Sequence, residues 1–214
     1  MTVDGSSHES PMSQFHGPAE GDWLPLQPHD AATLLAQVTL PWWIAGGWAL
    51  DLFLGDQTRA HEDLDVGILR RDVIDVITHL SGWEVFEAQS QTLYRLEAGE
   101  RPRLDVNSLW CRPRHAQRWS FELMLDEAQG KDWVFRRLPT VRMPLANLIK
   151  RTQEGIPYLT PEIQLLYNAR HPRAKDQDDF LRVLPRLGAS ARAWLIDALS
   201  TIDSAHAWLA KLTI

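Results

Sequence analysis

One stretch, "IAGGWALDLFLGDQTRAHEDLDVGIL" from Ile44 to Leu69, constrains this chain more than any other. Gly46 and Gly47 stand where the apolar, strand-like "PWWIAG" gives way to the helix-patterned "WALDLFLG". The stretch ends in Asp63 and Asp65, one residue apart and flanked by aliphatics. Side chains alternate along a strand, so both acids share a face while Leu64 and Val66 enter the core. Two carboxylates about 7 Å apart on one face repel each other until a cation sits between them. Magnesium is the natural one, being hard, octahedral and satisfied by carboxylate, water and phosphate oxygens. Bare glycines let the backbone approach a ligand, and N–H groups at a helix start favour phosphate. Together they would hold a nucleoside triphosphate and its metal. The competing reading is a solvated edge strand that carries two acids after an ordinary tight turn.

The chain's 214 residues suffice for one good-sized domain or one domain with a helical appendage. Its 22 basic and 28 acidic residues give a net charge of −6, which argues against a duplex nucleic-acid binder and suits small or cationic partners. Ten tryptophans read as core and pocket wall. Cys111 is the single cysteine and suits a reducing compartment. The start lacks the basic and apolar regions of a signal peptide, and the most apolar region, 40–54, contains Asp51 and falls short of the roughly 20 residues a membrane span needs. The expectation is a soluble, cytoplasmic protein with no membrane partner.

The fold class expected is α+β: a mixed sheet flanked by helices, followed by a helical C-terminal region. Residues 1–21, rich in Ser, His, Gly, Pro and acids, read as a disordered tail. Residues 22–143 form the main domain in this reading. Asp30 looks like the N-cap of "AATLLAQV", and "RRDVIDVITHLSG" is a helix closed by Gly82. "WEVFEA", "TLYRLEA", "RLDVNSLW", "SFELMLDE" and "DWVFRR" read as strands, the last two joined as a hairpin through "EAQGKD". From about Pro144 the chain is expected to turn helical, giving a subdomain over 144–214 that includes the Thr160–Pro161 helix start.

With these residues on the page, a family resemblance emerges. Gly46-Gly47 followed by Asp63-Leu64-Asp65 resembles the Gly-Gly/Ser and Asp-x-Asp signature of DNA-polymerase-β-like nucleotidyltransferases. The surrounding run is similar to the aminoglycoside 2″-nucleotidyltransferase and lincosamide nucleotidyltransferase branch, through Gly46 to Ala49 and through Thr58, Arg59, His61 and Asp63. "TPEIQLLYNARHPRAKDQDDF" resembles that branch's Pro-Glu helix and Lys-Asp-x-x-Asp element. The broader superfamily often has Ser at the position of Gly47, so phosphate contacts here would be mostly backbone.

The resemblance implies transfer of a nucleoside monophosphate, AMP from ATP or another NTP, to a hydroxyl of a small molecule such as an aminoglycoside, with Mg²⁺ aligning an in-line attack. Asp63 and Asp65 would bind metal. A third carboxylate would take the hydroxyl proton and share the metal. Asp105 in "RLDVNSLW" is the first candidate, with Glu122 and Asp126 in "FELMLDE" as rivals. Gly46, Gly47, Thr58, Arg59, His61 and Lys175 are candidate nucleotide contacts. The implied state is monomer or homodimer.

Each of these residues has a plainer reading. Asp105 could pair with Arg101 or Arg103, Asp126 could begin the "DEAQGKD" turn, and His61 could cap a loop. Lys175 stands in a charge cluster, and Glu162 in a first helical turn favours any acid. Trp42, Trp43 and Trp48 read as core packing. No P-loop, nucleophile elbow or zinc spacing occurs. The alternatives are a lincosamide or protein-hydroxyl acceptor, or a non-catalytic nucleotide-binding or partner-binding module of the same fold.

Overall fold

The computed structural model describes residues 14–15, 22–89 and 92–213. The expected tail over 1–21 lies outside them except for Gln14–Phe15, which form a short edge strand, β1. The first helix, α1 (Pro28–Leu34), is capped differently from the sequence expectation. Gln27 is the N-cap, and Asp30 stands three residues in, where its carboxylate accepts the Gln27 N–H at 3.0 Å. An acid at that place satisfies an otherwise unpaired amide and faces the positive end of the helix.

The site is framed by β2 (Trp42–Ile44), α2 (Gly46–Leu54) and β3 (Asp65–Leu69). All three β2 residues are buried, as a strand covered on both faces requires. After α3 (Val73–His79) come β4 (Trp83–Gln89), β5 (Thr92–Arg95), β6 (Ser108–Pro113), β7 (Phe121–Gln129), β8 (Asp132–Val134) and β9 (Arg142–Pro144). The β7–β8 hairpin turns on Gly130, whose φ of 61° is a left-handed conformation that suits glycine.

The helical region begins later than the sequence suggested. Strands β10 (Ile149–Arg151) and β11 (Pro157–Leu159) form a hairpin, and β11 runs parallel to β2 with Tyr158 opposite Ile44. Gly155 at φ 87° and the Ile156 N–H donated to Thr152 Oγ1 close the turn. Helices start at Pro161, with α4 (Pro161–Asn168), α5 (Ala174–Val183), α6 (Ala189–Ile202) and α7 (Ala207–Leu212).

The strand order is β1-β5-β4-β6-β7-β3-β2-β11-β10, with β8 and β9 branching from β7. It is a mixed sheet: β3 is antiparallel to β2 and parallel to β7. Helix α2 packs against α4 and α5, and α4 packs against α6. The core includes Trp43, Trp133, Phe121, Phe180 and Trp208, all fully buried, with Phe180 and Trp208 stacked at 4.1 Å. Trp42 and Trp48 are buried as well, in keeping with core packing.

Candidate active site

The glycine turn and the acid pair meet. The Ala45 N–H donates to the Asp65 carbonyl at 2.9 Å, fastening the end of β2 to the start of β3. Gly46 opens α2 at φ 63°, and its N–H donates to Gln164 Oε1 of α4 at 2.8 Å. A Cβ on Gly46 would fall 2.2 Å from Asp65 Oδ2, and one on Gly47 would fall 2.0 Å from Arg59 Nη2. A side chain at Gly46 would collide with the Asp65 carboxylate, and one at Gly47 would have to displace the Arg59 guanidinium.

Asp63 is exposed just before β3, and Asp65 is the first residue of the strand, half-buried. The third carboxylate on this face comes from β7. Parallel pairing sets Asp65 opposite Glu122, and antiparallel pairing sets Trp110 of β6 opposite Glu122 on its other side. Residues directly opposite across a ladder share a face, so Asp65, Glu122 and Trp110 form one row. Ser108 Oγ donates to Glu122 Oε1, and Trp110 Nε1 donates to the same oxygen at 3.3 Å.

Asp105 lies outside this strand row. The Val106 N–H donates to the Arg103 carbonyl at 3.1 Å, closing a turn, and β6 begins only at Ser108. Asp105 and Leu104 stand exposed at that turn. Arg103 is held elsewhere, its backbone N–H and its Nε each donating to buried Glu87 at 2.6 Å. "RLDVNSLW" is thus a turn followed by a strand, since Glu87 pins Arg103 and the chain bends after it. Asp126, the other rival, lies four residues beyond Glu122 on the same strand, about 13 Å away at strand rise. It is buried and accepts a hydrogen bond from the Tyr167 hydroxyl at 2.5 Å.

Electrostatics single out the same pair. Burial first, then the Asp63 charge, pushes the Asp65 carboxyl up to about 7, while Lys175 and Arg173 pull it down. Burial, then Asp65 and Asp63, pushes Glu122 up to about 8, against the hydrogen bond from Trp110. Among the described residues no group of three or more His, Cys, Asp or Glu side chains is placed to hold a metal ion. Asp63, Asp65 and Glu122 nevertheless supply the hard oxygen donors that a divalent cation takes, and burial with neighbouring negative charge destabilises Asp65 and Glu122 as anions.

Thr58, Arg59 and His61 form a clamp behind the turn. His61 Nε2 and Thr58 Oγ1 each lie 2.6 Å from an oxygen of buried Asp51. The His61 ring stacks on Trp48 at 4.2 Å, and its Nδ1 is 3.1 Å from Arg59 Nη1. Arg59 Nη2 donates to Asp179 of α5 at 3.1 Å. The loop before Asp63 is thereby tied to α2 and α5. Asp51 and Asp179 were the partners sequence reasoning missed, although both stand inside the quoted motifs.

The cleft has two lobes that meet at Gly46 and Asp65. One, about 400 Å³, is walled by Gly47, Arg59, Asp63, Arg173 and Lys175. The other, about 290 Å³, reaches Met124, Asp126, Arg136 and Tyr167. Lys175 therefore lines the same lobe as Asp63 and Asp65. Arg173, unmarked in the sequence, lines both lobes while ion-pairing with Asp176 at 2.8 Å. Glu162 is buried in α4 with Oε2 lacking a partner, and burial raises its pKa.

Known proteins resemble this chain in sequence and in fold. A family model described as aminoglycoside-2″-adenylyltransferase matches residues 29–128. A 2″-aminoglycoside nucleotidyltransferase from Escherichia coli is 44% identical over 141 residues, which cover 51% of this chain and 78% of the relative. A crystal structure of ANT(2″)-Ia in complex with adenylyl-2″-tobramycin aligns with a TM-score of 0.52 at 16% identity, covering 81% of this chain and 95% of that one. Lincosamide antibiotic adenylyltransferase LnuA, lincomycin-bound, aligns with a TM-score of 0.50 at 15% identity over 72% of this chain and 92% of its own. At such identities the structural likeness speaks to the fold.

Proposed function

This chain belongs to the aminoglycoside 2″-nucleotidyltransferase family, and from that premise we propose that it moves AMP from ATP to a hydroxyl of an aminoglycoside. The observation that carries the reading is the β3–β7 register, which brings Glu122 opposite Asp65 beside the Gly46 turn. The net charge of −6 suits a polycationic acceptor.

Each site residue has a part. The acceptor oxygen attacks the α-phosphorus, its proton passes to Glu122, and the bond to the pyrophosphate oxygen breaks. Ser108 and Trp110 engage Glu122 Oε1 and so leave Oε2 to accept that proton. A carboxylate raised toward neutrality is a stronger base than a solvated one. Asp63, Asp65 and Glu122 would hold Mg²⁺, which when bound neutralises charge on the transferring and leaving oxygens. Lys175, Arg173 and the α2 amides that follow Gly46 face the phosphates. Thr58, Arg59 and His61 hold the loop that carries Asp63. We set the boundary between a catalytic unit and a helical C-terminal unit at Thr160, between β11 and α4. Among the described residues no helix is long and apolar enough to cross a membrane.

The test is pyrophosphate release from purified protein given ATP, GTP or CTP, magnesium and a panel of aminoglycosides and lincosamides. Release should require ATP and an aminoglycoside and vanish in Asp63→Asn and Glu122→Gln. Tight nucleotide binding without turnover on any acceptor would leave a binding module instead.

A further inference from the structure

A second hollow lies apart from the metal-binding acids, between the loop after β8, α4 and the C-terminal end of α6. Its volume is about 580 Å³, twice that of the lobe at Asp126 and within the range of small-molecule sites. Phe135, Leu166, Leu199 and Ile202 give it an apolar lining, and Ile202 remains 41% exposed although it is a large hydrophobic residue.

Its polar rim carries two guanidiniums, Arg137 and Arg170, against one carboxylate, Asp203. Arg137 and Arg170 line it, and Arg136 stands beside them. Burial, then the charges of Arg136 and Arg170, hold the Arg137 guanidinium below its ordinary pKa. Among the described residues no ion pair joins Arg136, Arg137 or Arg170 to a carboxylate. The rim's other ionisable groups are engaged locally. Asp203 accepts the Ala205 N–H at 3.0 Å, and His206 bonds the Ala169 carbonyl and the Trp208 N–H. A cationic cluster in a chain of net charge −6 is against the trend of the molecule. Guanidiniums crowded at an apolar opening gain most from an anion that places charge between them and apolar surface below.

We propose that this hollow binds a small amphipathic anion, an apolar body with one carboxylate, phosphate or sulfonate held by Arg137 and Arg170. The ligand is neither the nucleotide nor the acceptor. Arg137 also lines the Asp126 lobe of the cleft, so the two sites adjoin through one side chain. The inference stands independently of which acceptor the enzyme uses.

The experiment is a fluorescence titration of the full chain with anilinonaphthalene sulfonate, an apolar fluorophore carrying one anionic group. One dye should bind per chain. Affinity should fall about tenfold or more in the double variant Arg137→Gln/Arg170→Gln, and equally in Ile202→Glu, which sets a like charge at the opening without emptying the core. Arg151→Gln should leave it unchanged. Octanoate should displace the dye and MgATP should not. Circular dichroism confirms that each variant is folded, and two variants at different walls guard against a local defect in either. Absence of dye binding, unchanged affinity in both hollow variants, or displacement by MgATP would overturn the proposal.

Discussion

At Gly46 a single hydrogen atom decides whether Asp65 keeps its position. Gly46→Ala meets two obstacles: a left-handed φ of 63° and an Asp65 oxygen 2.2 Å from the new Cβ. Gly55→Ala meets only the first, since nothing lies within 4 Å of its Cβ position at φ 79°. Both should lose a similar amount of stability to backbone strain, about 1 kcal/mol. Only Gly46→Ala should lower kcat, by about 100-fold, because an ångström of displacement at a reacting group has that effect. Equal kcat losses in a steady-state assay would remove Gly46 from the site. Asp63 and Asp65 were legible in the sequence because their pairing is local, two residues on one pleat. Glu122 was legible only as a rival. Its place depends on a register across 56 intervening positions, and "RLDV" carries the same local pattern of an acid between apolar residues as "FELM". Only the turn imposed by the Arg103–Glu87 contacts separates them.

Among the elements, the loop from Gln57 to Asp63 is held by side chains rather than by regular structure. Removing His61 leaves Asp51, 4% exposed, with the Thr58 hydroxyl as its remaining side-chain donor. His61→Ala should therefore cost about 1–3 kcal/mol in denaturant unfolding. It should also raise the KM for nucleotide, because the loop carries Asp63. A stability loss with unchanged KM would mean that the clamp is only structural. A second constraint lies under the sheet, where the Trp43 indole crosses Gly67 and a Cβ there would fall 2.0 Å from Nε1. Gly67→Ala should cost about 1–3 kcal/mol by overpacking, measured as a lower midpoint at unchanged m-value. Helices and most strands were readable from periodicity and punctuation. The β10–β11 hairpin was not, because three-residue strands are too short to show alternation and "IKRTQEGIPYL" carries turn residues throughout.

For the molecule as a whole, the acids make stability depend on pH and metal together. Asp65 and Glu122 have folded-state pKa values of about 7 and about 8, above the ordinary carboxyl range. The folded protein then binds more protons than the unfolded chain between pH 4 and pH 8, so stability contributed by these groups falls as pH rises through that window and levels off above it. Asp126 and Glu162, also raised by burial, act in the same direction, and Asp176, lowered by its hydrogen bonds from Arg173 against burial, acts oppositely. Magnesium binds only the ionised forms. It should raise Tm clearly at pH 8 and hardly at pH 5, and equal shifts at both would contradict the assignment. The mixed sheet and the trailing helices were legible from the order of elements. The joining of distant strands into one acidic row was not, because no single segment encodes it. That row is best tested by Mn²⁺ binding, followed by electron paramagnetic resonance with a non-hydrolysable ATP analogue present. The account predicts that Asp105→Asn binds as the wild type does and that Glu122→Gln binds at least about tenfold more weakly; the reverse order, with Glu122→Gln intact and Asp105→Asn impaired, would contradict it.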